Sequence, residues 1–161
     1  MDFNDLIWNL AENNWDPWQE ILESYMQSGG DLNHQVNQGR TLLHNAVEFG
    51  NVEAIRWLII NGADINLPES QGWTPLHLAV DVDIDVALQS RQKMTMDATR
   101  TLIELGADQS LRNDRGETPR DIAAIYGEKA LALYDSIVKH SQGHDEKPKG
   151  VLRKKDSRKG Q

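Results

Sequence analysis

The sequence predicts an all-α solenoid of about four stacked helix pairs with short projecting loops, and three observations carry that prediction. GRTLLHNAV from Gly39, GWTPLHLAV from Gly72 and GETPRDIAA from Gly116 each place Gly and Thr two apart ahead of an apolar or alanine-rich run. A second marker, GGDLN from Gly29, GADIN from Gly62 and GADQS from Gly106, keeps step with the first: both recur after 33 residues and then after 44. Two landmarks with one period indicate a repeated supersecondary unit. Between them the apolar residues fall at helical spacing, and the last interval holds eleven extra residues between Val80 and Gly106.

Taken in order, Asp5 to Asn13 carries Leu6, Ile7 and Leu10 on one face and reads as a short first helix. Asp16 is placed to cap the next helix, with Pro17 at its first position and Gln19 able to return to the cap. Ile21, Leu22, Tyr25 and Met26 form its stripe, and Gly29-Gly30 ends it. From Thr41 the pattern is cleaner: Leu42, Leu43, Ala46 and Val47, a stop at Gly50, then Val52, Ile55, Leu58 and Ile59 up to Gly62. The final pair runs Thr118 to Tyr126 and Glu128 to His140, with Leu131, Leu133, Ile137 and Val138 as the second stripe. Polar Gly-bearing segments, 64–73 and 108–117, suit hairpin-like loops. One such pair cannot bury both faces, so stacking on neighbours must complete the core. The expected organisation is an irregular N-terminal capping repeat over 1–36, repeats over 37–140 with an insertion near 83–95 and a C-terminal cap, and a disordered basic tail over 141–161.

Charge is unevenly divided. The last fifteen residues hold one acidic and seven basic side chains, leaving 24 acidic and ten basic before them. An acidic body repels nucleic acid phosphates and attracts basic protein surfaces. Five His and no Cys exclude disulfides and thiolate metal sites within the chain. No positively charged leader opens the sequence, and no apolar run nears the roughly twenty residues of a membrane span. The expectation is a cytoplasmic protein, monomeric when free, that does not engage membranes.

Thr74-Pro75-Leu76-His77, with its counterparts 33 and 44 residues away and a Gly-Ala-Asp closing the units, resembles the ankyrin repeat family. The resemblance covers about 37–140, and 6–33 as a degenerate repeat lacking the motif. The chain departs from it at Leu42 in place of Pro, at Arg120-Asp121 in place of Leu-His, and in the insertion. Thr74 can cap the first helix, and Pro75 suits its first turn because its missing N–H would be unpaired there. The resemblance implies that His44 and His77 hydrogen-bond neighbouring loops. It also implies a partner protein bound on a concave face made of loop tips and first-helix ends. By position these are Asn37, Gln38, Arg40, Glu48 and Phe49; then Ser70, Gln71, Trp73, Asp81, Val82 and Asp85; then Asp114, Arg115, Glu117, Ile125 and Tyr126. Trp73, Phe49 and Tyr126 read either as interface anchors or as packing between adjacent repeats.

Asp81, Asp83 and Asp85 alternate at the start of the insertion, but a calcium loop would need Gly and Glu where this chain has Val86 and Gln92. The alternative is a prolonged helix from Pro75 to about Gln89, with the three acids solvated and Val82, Val86 and Leu88 in apolar contact. No phosphate loop, nucleophile elbow or His-Glu-x-x-His occurs. The expected function is therefore a non-catalytic protein-binding module with no cofactor or metal, its partner presenting a basic surface. Two other readings stand beside it. One is an immunity protein neutralising a basic toxin, because the long insertion is similar to that of some bacterial members of the family; the other is a metal-dependent hydrolase using the three aspartates.

Overall fold

The computed structural model of the chain describes residues 17–142 together with Leu6. Among them are seven α-helices: α1 (Trp18–Gln27), α2 (Leu42–Glu48), α3 (Val52–Ile60), α4 (Pro75–Ser90), α5 (Asp97–Glu104), α6 (Pro119–Ile125) and α7 (Glu128–Gln142). The expected helix over 5–13, apart from Leu6, the Asp16 cap and most of the basic tail lie outside the described residues.

The helices form an all-α repeat solenoid. Pairs α2–α3, α4–α5 and α6–α7 are packed neighbours; α4 packs between α2 and α6 in one row, and α5 between α3 and α7 in the other. Small residues permit the close approach in the first row, where Ala46, Ala79 and Ala123 are all fully buried. Leu42, Leu43, Ile55, Leu58, Leu76, Ile84 and Leu102 fill the space between rows. At the N-terminal end Trp18 meets Trp57 edge to face, ring centroids 6.0 Å apart. Burying such side chains is what makes each pair depend on its neighbours.

Local chemistry fixes the entry to each first helix. The Thr41, Thr74 and Thr118 hydroxyls accept the backbone N–H three residues on, while the side chain there (His44, His77 or Asp121) accepts the cap's own N–H. The histidines do more. His77 Nε2 lies 3.0 Å from the Glu117 carbonyl and His44 Nε2 lies 3.4 Å from that of Trp73. A nitrogen facing a carbonyl must carry the proton, so Nδ1 is the acceptor for the Thr hydroxyl, at 2.9 Å in His44 and 2.8 Å in His77. Asp121 stands where no further loop follows among the described residues; it closes its own box and faces Arg112 at 3.9 Å.

A second ladder runs along the loops. Asp31, Asp64 and Asp108 each accept the backbone N–H two residues on, a turn suited to Asp. Asn33 and Asn66 then accept the N–H of Asp64 and Asp108 in the next unit, at 2.7 and 2.9 Å. Gly72 has φ +74, and a Cβ there would come within 3.0 Å of Asp114 N in the following loop, so glycine is required both by conformation and by contact.

Three expectations need correction. Pro17 sits at the N-cap of α1 rather than inside the helix, and Gln19 bonds Glu23 instead of returning to the cap. Without an N–H or a side-chain acceptor, Pro17 closes no box. In α7 the buried positions are Ala130, Tyr134 and Ile137, with Leu131, Leu133 and Val138 at the margin. The insertion does lengthen the helix to Ser90, but Val86 and Leu88 are 56% and 57% exposed, while Ile84 and Ala87 carry the buried stripe. The helix outruns α2 and α6, so the side of its last turns that carries Val86 and Leu88 stays exposed while Ile84 and Ala87 remain buried.

Burial holds the His44 imidazole down at about 4, overriding the opposing bond to the Trp73 carbonyl, and lowers His77 by the same cause. Since the folded pKa lies below the unfolded value of 6.5, the unfolded chain takes up the proton first as pH falls. The stability is complete above about pH 6.5 and is lost down to about pH 4. Urea unfolding should show about 2 kcal/mol less stability at pH 5 than at pH 7 from His44 alone, with His77 adding in the same direction. A His44→Gln variant, weaker at pH 7, should lose that part of the difference.

Candidate partner-binding surface

The loop tips are turned by backbone that side-chain-bearing residues seldom adopt. Gln38 and Gln71 have φ of 65° and 68°, each followed by a glycine that is also positive. Each turn is closed at its base, by Val36 pairing with Arg40, by Glu69 N–H to Trp73 O at 2.8 Å and by Asn113 N–H to Glu117 O at 2.9 Å. Successive tips are stitched together, Asp114 N–H donating to Gln71 O at 2.9 Å.

This stacking brings Gln38, Ser70, Gln71, Trp73, Asp81 and Arg115 around one shallow cavity of about 250 Å³, shared by three successive units. Glu69 and Leu78 line it too. Leu78 was legible, because it lies three and four residues before Asp81 and Val82 and so on the same face of α4. Burial pushes the Glu69 carboxyl up, against the lowering effect of Arg40. Arg40 joins this cavity to a second one: its guanidinium bonds Glu48 at 2.8 Å and faces Glu69 at 3.4 Å.

The second cleft, of about 180 Å³, gathers Glu48, Phe49 and Val82 with residues of the insertion, Val86 and Lys93 among them. The remaining candidates line neither cavity. Asn37 and Asp114 are exposed at the tips, and Glu117 is held by Asn113 and by His77. Asp85 accepts from Gln89. Tyr126 donates to Asp81 at 2.7 Å, and burial first, then that bond, raises its hydroxyl to about 12. Of the three aromatics, Trp73 is half-buried against the core with its ring 6.0 Å from that of His77, Tyr126 is half-buried, and Phe49 is 45% exposed. Ile125, at the end of α6, is 68% exposed.

The three alternating aspartates do not act together. Asp81 meets Tyr126, Asp85 meets Gln89, and Asp83 turns inward to accept Thr99 N–H at 2.9 Å and Thr99 Oγ1–H at 2.8 Å. Asp83 is therefore not part of a solvated acidic face. Helix α5 begins after Met96, which has φ 54° and no capping side chain, and Asp83 supplies the missing acceptor from α4. Burial raises its carboxyl above the ordinary range, which the Thr99 bonds partly offset. Among the described residues no group of three His, Asp or Glu is arranged to hold a metal ion, and no helix is long and apolar enough to cross a membrane.

Asp83→Ala should cost about 1–2 kcal/mol in chemical unfolding, because Thr99 loses its acceptor. Asp83→Asn keeps an acceptor oxygen without a buried charge and should cost clearly less. Equal losses in the two variants would contradict the capping role.

Comparison with known proteins gives a consistent pattern. A family model described as ankyrin repeats (3 copies) matches residues 8–89, and one described as ankyrin repeat matches 71–114. Protein phosphatase 1 regulatory subunit 27 of Homo sapiens is 39% identical over 84 residues, 52% of this chain and 47% of that protein. Diacylglycerol kinase zeta of Rattus norvegicus is 32% identical over 123 residues, 75% of this chain and 12% of that one. RelA-associated inhibitor of Mus musculus is 37% identical over 60 residues, 37% of this chain and 7% of that one. The chain thus spans about half the length, or much less, of these curated relatives.

Proposed function

The chain belongs to the ankyrin repeat family, a family of protein-interaction modules, and from that premise we propose that it binds one partner protein across the loop tips and first-helix ends, acting by occupancy rather than by chemistry. The observation that carries the reading is the cavity lined from three successive units by Gln38, by Ser70, Gln71, Trp73 and Asp81, and by Arg115. A surface built from separate repeats offers donors, acceptors and apolar area at fixed spacing, which suits a folded protein or peptide better than a metabolite. Among the relatives, a regulatory subunit and an inhibitor are proteins whose names describe action on another protein.

The partner's contacting surface is basic in this proposal. Before the last fifteen residues the chain carries 24 acidic and ten basic side chains, an imbalance that favours approach of positive surfaces and disfavours nucleic acid. A basic toxin neutralised by this chain would be one member of that class. The free chain is proposed to be a cytoplasmic monomer, in keeping with its lack of cysteine.

The test starts with affinity capture of the partner from the native cell and calorimetric titration of the purified pair. Trp73→Ala should weaken binding at least tenfold, or about 1.4 kcal/mol. Ser70→Arg, at an exposed tip and adding positive charge, should weaken it several-fold, and raising salt should weaken it further. Unchanged affinity in both variants, with circular dichroism confirming the fold, would exclude this face.

A further inference from the structure

We infer that the cleft between the end of α2 and the added turns of α4 seats a single large apolar side chain of a partner segment that carries a basic residue close beside it. This rests on the proposed binding of a protein across the same face, and specifies what that partner presents.

The cleft exists because of the insertion. Helix α4 has 16 residues against seven in each of α2 and α6, so its last turns stand beyond its neighbours as a ridge. On one flank of that ridge, Val82 and Val86 lie one helical turn apart and share the cleft with Phe49 from the end of α2. Phe49 and Val86 are 45% and 56% exposed, a concentration of apolar surface that the fold itself does not require. The volume of about 180 Å³ is well under the roughly 300–1,000 Å³ of small-molecule pockets, yet suits one aliphatic or aromatic side chain.

The walls are held in place before any partner arrives. Ile84 and Ala87 anchor the ridge from below, and Asp83 ties it to the start of α5 through Thr99 at 2.8 and 2.9 Å. The return loop that carries Lys93 is bracketed by left-handed residues, Arg91 at φ 57° and Met96 at φ 54°, and Thr95 is fixed to Asp97 at 2.7 Å. A preformed seat avoids part of the ordering cost of binding. Charge selects the neighbour of the anchor. Glu48 and Asp83 line the cleft, Asp81 and Asp85 stand on the opposite flank of the ridge, Lys93 lines the cleft, and Arg40 pairs with Glu48 at 2.8 Å. Four carboxylates against two cations leave the ridge and its cleft net negative, which favours a Lys or Arg beside the apolar residue.

The probe is a phage-displayed library of random 12-residue peptides selected on the full chain, with the enriched consensus peptide synthesised for titration. Enriched peptides should share one Leu, Ile, Met or Phe with Lys or Arg within four positions. Binding should shift the Val82 and Val86 methyl signals in NMR spectra. Val86→Glu should weaken the consensus peptide at least tenfold. Its added negative charge would by itself strengthen a purely electrostatic contact, so a loss isolates the apolar seat. Val86 is exposed, and a melting curve checks that the variant stays folded. Peptides without an apolar position, no enrichment at all, or affinity unaffected by Val86→Glu would each overturn the cleft assignment. Weakening by Ser70→Arg with none by Val86→Glu would overturn it while leaving the broader binding face standing.

Discussion

Each motif histidine is shared between two repeats. Its Nδ1 completes the cap of its own helix at Thr41 or Thr74, and its Nε2–H reaches the carbonyl that closes the next loop, at Trp73 or Glu117. Only a neutral imidazole can accept on one side and donate on the other, and burial keeps both rings neutral. Protonation removes the acceptor and puts an uncompensated charge in the core. Together with the Asn33 and Asn66 ladder, those two rings set the position of each following loop, and hence the surface the loops form.

The same logic explains where the series stops. Leu43 and Leu76 are buried against the following repeat, whereas the equivalent Arg120 is exposed and makes a bidentate pair with Asp135 at 2.7 and 2.8 Å. Asp121 replaces the histidine where no next loop waits to be held, and Ser110 replaces the asparagine that would have reached forward. Gly72 is hemmed in by the following loop, but a Cβ on Gly116 would meet nothing within 4 Å. Three positions thus change residue, and a fourth, Gly116, keeps its glycine but loses the neighbouring loop, at the end of the described stack.

Much of the framework was legible because the repeat prints the same physical demand several times. Helix starts at Thr41, Thr74 and Thr118, the loop positions and the lengthened α4 all follow from spacing and capping chemistry. What escaped were the features that occur once. Asp83 looked like one of three solvated acids because period alone cannot reveal that Thr99, sixteen residues on, needs an acceptor. Val86 follows Val82 by one helical turn and reads as a continued apolar stripe, but α2 and α6 end too soon to cover it, and Leu88 is exposed as well. The pairing of Tyr126 with Asp81 likewise joins residues 45 apart whose approach only the stacking of α6 on α4 creates. The candidate surface was read by position, so the loop-tip residues were named while Glu69 and Leu78, which line the same cavity, were not.

The account turns on neutral, Nε2-protonated histidines linking successive repeats, and long-range ¹H–¹⁵N correlation spectra of the imidazoles read that state directly. His44 and His77 should both show a protonated Nε2 and an unprotonated Nδ1 at pH 7, with His44 holding that pattern down to about pH 5. A protonated Nδ1 in the folded protein, or titration of either ring near the ordinary 6.5, would contradict it.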